Sequence, residues 1–152
     1  MNTYIIPCLA AFFACLGFAL VYQIRGKNII IAALCGTFAW AVYLVSYNFF
    51  HHSPFIAYFL SGVSIGLFSE VASAVFKEPV TLYLLPGIIP TVPGVAIYKA
   101  MENCLAGNLS AFGTYAIQTI KVGGAIALGI IIFSSLARLL KSGIERVLKT
   151  TP

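Results

Sequence analysis

Residues 84–94 read Leu-Leu-Pro-Gly-Ile-Ile-Pro-Thr-Val-Pro-Gly, three prolines and two glycines inside a run otherwise apolar enough to cross a membrane. Pro86, Pro90 and Pro93 carry no N–H, so in a helix the carbonyls of Leu82, Pro86 and Ile89 lose their partners. Leu85, Ile89 and Val92 each precede a proline and are pushed away from helical angles. An uncovered carbonyl in hydrocarbon costs roughly several kcal/mol, so broken backbone at that depth survives only where protein buries it or where it lines a polar cavity. Such a break in a membrane helix points first to a transport site.

Apolar residues make up 61% of the chain and charged residues 9%, against about 25% charged in an ordinary soluble domain. The 152 residues leave room for roughly four to six spans and no separate soluble domain. Met1-Asn2-Thr3 carries no cation ahead of the first apolar run, and no small-residue cleavage site interrupts it, so that run reads as a retained span rather than a signal peptide. The net charge of +5 does not indicate nucleic acid, because the cations sit at the ends of apolar runs. Cys8, Cys15, Cys35 and Cys104 lack CxxC spacing and read as small packing residues, with no metal site or cofactor implied.

The pattern predicts an all-α integral membrane protein, one transmembrane domain over residues 1–152. It has about five transmembrane helices, near 4–22, 29–48, 54–76, 80–103 and 112–140, the fourth broken by the Pro/Gly motif. Pro54 is a good first helical residue for the third span, and Lys77-Glu78-Pro79 closes it. With five spans, Arg25, Lys27, Lys77, Arg138, Lys141, Arg146 and Lys149 fall on one side, seven of the nine cations. The positive-inside rule makes that side cytoplasmic, with the N-terminus outside and the C-terminus inside a cell inner (plasma) membrane. Tyr4, Tyr22, Tyr47, Phe49, Phe50, Tyr83, Tyr98 and Tyr115 lie near span ends and suit interfacial belts. His51 and His52 belong to an outer loop, where adjacent histidines point in different directions.

Four charges fall within or beside the apolar runs: Glu70, Lys99, Glu102 and Lys121. Ionisable groups at membrane depth normally face the bundle interior or water. Glu70 ends a small-residue stripe of Gly62, Gly66, Ser69 and Ser73 that invites close helix approach. It is a proton-coupling candidate, or else an interfacial partner of Lys77. Thr114, Gln118, Lys121 and Ala125 share one face of the last span, which turns Lys121 toward protein or a water-filled path unless it snorkels outward. Lys99 and Glu102, three residues apart, can pair with each other. A helix resuming at Pro93 offers the N–H groups of Gly94, Val95 and Ala96 to an anionic group near the midplane, and the released carbonyls suit an ammonium group or a cation. The solute-binding candidates are therefore Pro86, Gly87, Pro90, Thr91, Pro93, Gly94 and Lys121. No H-E-x-x-H, nucleophile elbow or phosphate loop suggests an enzyme.

Pro-Gly-Ile-Ile-Pro-x-x-Pro-Gly at Pro86–Gly94, preceded by Lys77-Glu78-Pro79 and followed by Tyr98 and Met101-Glu102, resembles the threonine/serine exporter family. In size and in its glycine-rich last span, the chain is similar to the short transmembrane subunit of that family's split, two-protein form. The resemblance implies ion-gradient-driven export of small amino or carboxylic acids: threonine, serine or a dicarboxylate such as succinate. It also implies a partner, a longer exporter subunit with a cytosolic N-terminal region; a homo-oligomer is a further possibility. The alternative is a non-transporting assembly subunit of a membrane complex.

Overall fold

A computed structural model describes residues 2–50 and 53–150; His51 and His52 lie outside the described residues. Six helices follow one another: α1 (Asn2–Val21), α2 (Asn28–Phe49), α3 (Pro54–Phe76), α4 (Val80–Ile88), α5 (Gly94–Leu105) and α6 (Leu109–Thr150), with a 3-10 turn at Ile89–Thr91 between α4 and α5. The helix stops follow local chemistry. Lys77 ends α3 in the left-handed region at φ 56°, and Pro79 then holds Glu78 out of the helix. Gly107, at φ 72°, reverses the chain between α5 and α6, a conformation glycine adopts without steric cost.

Helices α1, α2, α3 and the first 32 residues of α6 are each long and apolar enough to cross a membrane. Their outward faces carry large apolar side chains such as Phe13, Val45, Val75, Ile120 and Leu139, as lipid solvation requires. The fifth crossing is the bent pair, Val80–Thr91 and Gly94–Leu105, whose axes meet at 59°. That this pair traverses, rather than dips and returns, follows from its neighbours. A Cβ on Gly62 would fall 2.5 Å from the Ile126 carbonyl oxygen, and one on Gly66 would fall 3.3 Å from Phe133 Cβ. Residue numbers therefore rise together along the contact, and α3 and α6 run parallel. Two parallel crossings need a full traverse between them, and only α4–α5 supplies it.

The α3–α6 seam is glycine on backbone. Gly62 lies against Ile126, and a Cβ on Gly129 would clash with the Phe59 carbonyl and the Val63 amide. The small-residue stripe expected to admit a close neighbour does so, which is how helices gain dispersion contact where lipid leaves no hydrophobic drive. At 42 residues, α6 is about 63 Å long at ~1.5 Å per residue, roughly twice the hydrocarbon thickness. The cations Lys141, Arg146 and Lys149, beyond the last expected span, stand on a continuation of the same helix.

Candidate functional site

The three prolines do not act alike. Pro86 lies inside α4, and Ile89, although it precedes Pro90, keeps helical angles of φ −49° and ψ −48°. The chain accommodates Pro90 by tightening to a 3-10 turn, where the carbonyl four residues back no longer needs an N–H from residue 90. Only at Val92 does the backbone extend (φ −59°, ψ 130°). The expectation that Leu85, Ile89 and Val92 would all leave the helix is thus corrected to a single break at Val92–Pro93.

Nor are the released carbonyls bare. The Pro86 carbonyl accepts the Ile89 N–H and the Cys15 S–H at 3.2 Å. The Ile89 carbonyl accepts the Val92 N–H at 3.4 Å, and the Thr91 hydroxyl donates to the Ile88 carbonyl at 2.7 Å. This half of the motif is sealed by α1, α2 and α3. Pro86, Gly87 and Thr91 are buried, a Cβ on Gly87 would fall 2.8 Å from Cys35 Sγ, and Cys35 in turn meets Ser69 Oγ at 3.7 Å. Gly36 leaves room for Cys15 and Pro90 beside it. Hence Gly87 and Thr91 are buried in packing here, and of the released carbonyls those of Pro86 and Ile89 already have donors.

The second half opens. Pro93, at φ −75° and ψ 57°, makes an inverse γ-turn in which the Gly94 N–H donates to the Val92 carbonyl at 2.7 Å. This removes Gly94 from the expected donor set. The first N–H with a helical partner is that of Ile97, which donates to the Pro93 carbonyl at 3.1 Å. The Val95 and Ala96 N–H groups are left without a hydrogen-bond partner among the described residues.

Those two amides belong to the rim of a cavity of about 470 Å³, walled by the break from Pro90 to Ala96, by Trp40 and Tyr58, and by Lys99, Tyr115 and Gln118. Lys99 lies one turn into α5, with its Nζ 5.4 Å from the centre of the Tyr115 ring. It does not pair with Glu102, because no ion pair joins them among the described residues; α5 packs along α6, and Lys99 faces that partner. Trp40 and Tyr58 belong to an aromatic stack built on Tyr43, with ring centres 4.9 Å and 4.5 Å from it.

Of the residues singled out in the sequence, the structure brings Pro90, Pro93, Gly94 and Lys99 to this cavity. Pro86 instead edges a second cavity at the end of the bundle that holds Arg25. Lys121 is exposed and lines neither cavity, although Gln118 on the same stripe does. Glu102 is exposed on α5, and Glu70 is buried on α3 at 8% exposure, away from both cavity walls. Two tyrosines assigned to interfacial belts have other places. Tyr83 is fully buried, and Tyr115 is a cavity wall. Trp40 and Tyr58 were not singled out at all; only the packing of each on Tyr43, which joins α2 to α3, reveals them.

Residues 7–136 match the family described as Threonine/Serine exporter, ThrE. No curated protein and no solved structure matches the chain.

Proposed function

Because the chain belongs to the threonine/serine exporter family, we propose that the cavity beside its broken crossing holds the carboxylate of a small amino acid during export. The chain is a multi-pass transporter of that type; the solute's seat is the new element. One observation carries it: the unpaired Val95 and Ala96 amides begin a helix in the same cavity as the Lys99 ammonium. A helix N-terminus and a cation both favour a carboxylate, and the low dielectric strengthens each. The faces of Trp40 and Tyr58 offer a cation–π seat for the solute's ammonium group. A dicarboxylate such as succinate has no group for that seat, which favours threonine and serine.

The distribution of Arg25, Lys27, Lys77 and Arg138 supports a cytoplasmic placement of their end, in the cell inner membrane, with this cavity facing outward. Five crossings give a thin wall around any path, which supports assembly with a longer exporter subunit bearing a cytosolic region. Glu70, buried in α3, is the candidate for coupling flux to a proton gradient.

The test is efflux of labelled threonine, serine and succinate from vesicles, with and without that partner. Threonine and serine efflux should need Lys99 and fall with Gly94→Leu, and Glu70→Gln should blunt the response to an imposed pH gradient. If the variants change the amount of complex but leave flux per complex intact, the chain is an assembly subunit and the site assignment fails.

A further inference from the structure

At the opposite end of the bundle, the α1–α2 and α3–α4 connections enclose a cavity of about 500 Å³, whose wall includes Arg25, Asn28, Glu78, Thr81 and Pro86. Two opposite charges line it without neutralising one another. Arg25 makes no hydrogen bond or ion pair among the described residues. Glu78 is held differently: the Asn28 side-chain amide donates to its Oε1 at 3.3 Å. Asn28 is fixed in turn by the fully buried Tyr83, whose hydroxyl donates to Asn28 Oδ1 at 3.1 Å. The backbone of Glu78 is anchored as well, its carbonyl accepting the Ser73 hydroxyl at 2.6 Å. The carboxylate is therefore positioned by a chain reaching into the core, and Asn28 supplies one donor where an ionised carboxylate has acceptor sites to spare.

We propose that this basic-end cavity is a second solute subsite, a zwitterion clamp in which Arg25 takes the α-carboxylate of a free amino acid and Glu78 takes its ammonium group. The choice of ligand rests on reading the chain as an amino-acid exporter; the charge arrangement does not. An anionic lipid headgroup would suit Arg25 alone but would meet Glu78 as a repelling neighbour. A simple cation would suit Glu78 and be repelled by Arg25. A group carrying both charges satisfies both walls, and a free amino acid is the smallest such group that fits the reading above. The cavity volume lies within the ~300–1,000 Å³ of ordinary ligand pockets, and Pro86 at its inner edge places the subsite directly below the sealed half of the break.

The experiment uses cysteine reporters in the full chain with Cys104 replaced by serine. Thr81→Cys reports on this cavity and Val95→Cys on the other, and each is labelled with a maleimide in the purified protein. Serine should slow labelling at Thr81→Cys, whereas serinamide (no carboxylate) and N-acetylserine (no ammonium) should not. The protection should persist in Lys99→Gln. In Arg25→Gln or Glu78→Gln the serine concentration needed should rise about tenfold or more, the loss of one charge-assisted contact. Arg25→Lys, which keeps the charge, should retain most of the protection.

Protection of Val95→Cys alone would overturn the clamp and leave the outward cavity standing, with Arg25 serving membrane orientation only. Protection of Thr81→Cys alone would do the reverse. Protection at Thr81→Cys that ignores both charge removals would also overturn the clamp.

Discussion

Val80–Thr91 and Gly94–Leu105 are two arms of similar length on either side of one bend, and they solve the proline problem in opposite ways. In the first arm Tyr83 and Thr91 are 0% exposed, the Pro86, Ile88 and Ile89 carbonyls find donors, and one of the donors to Pro86 is a thiol from α1. In the second, Val95 is 72% exposed, and two amides without a partner among the described residues belong to residues that line an open cavity. The difference lies in the neighbours. The first arm packs between α2 and α3, with Cys35, Gly36 and Ser69 small enough to close around it, whereas the second packs chiefly along α6. Proline content therefore does not mark the open half of this broken span; the unsatisfied backbone does.

Glycine substitutions separate the arms most sharply. Gly87→Leu forces a side chain against Cys35 and should cost about 1–3 kcal/mol or more of stability, seen as a lower unfolding temperature in detergent. Gly94 has nothing within 4 Å of its added Cβ, so Gly94→Leu should fold normally and lose threonine efflux. Equal loss of fold in both variants would break the distinction. Next comes charge. Lys99→Gln should cut efflux roughly tenfold or more, the worth of a charge-assisted contact, while Lys121→Gln leaves it unchanged; the opposite ranking would return the site to α6. Smaller again is Cys15→Ala, expected to destabilise by about 1 kcal/mol without altering flux per folded molecule, with Cys15→Ser restoring a donor to the Pro86 carbonyl. The smallest effect is at Tyr115. Replacing it with Leu removes a cation–π contact of about 0.5–1 kcal/mol and should raise the efflux KM roughly two- to fivefold, while Tyr115→Phe keeps the ring and the contact.

Helix number, the stop at Lys77-Glu78-Pro79 and the close-packing face of α3 were legible because each depends on short-range chemistry: hydropathy over one span, a proline's effect on its neighbour, glycine at helical spacing. Which proline breaks the helix was not, since Pro90 is absorbed by a 3-10 turn, and the Pro86 carbonyl behind it gains a second donor from Cys15, 71 positions away in the sequence. That Lys99 rather than Lys121 lines the cavity was hidden for a related reason. A polar stripe shows that one face of a helix is wetted, but not which helix faces it across the water. Trp40 and Tyr58 were invisible for the same cause, each unexceptional in its own apolar run until the packing of α2 on α3 brought both to Tyr43 and to one cavity.

The parallel course of α3 and α6 has a consequence for gene architecture. Five traverses put the start of α1 and the end of the apolar stretch of α6 on opposite faces, so a second such bundle joined behind the first would enter the bilayer upside down. Tandem fusion would then yield two units related by a twofold axis lying in the plane of the sheet of lipid. That symmetry lets one half present its opening to one compartment while its twin faces the other, and exchanging their shapes reverses the carrier.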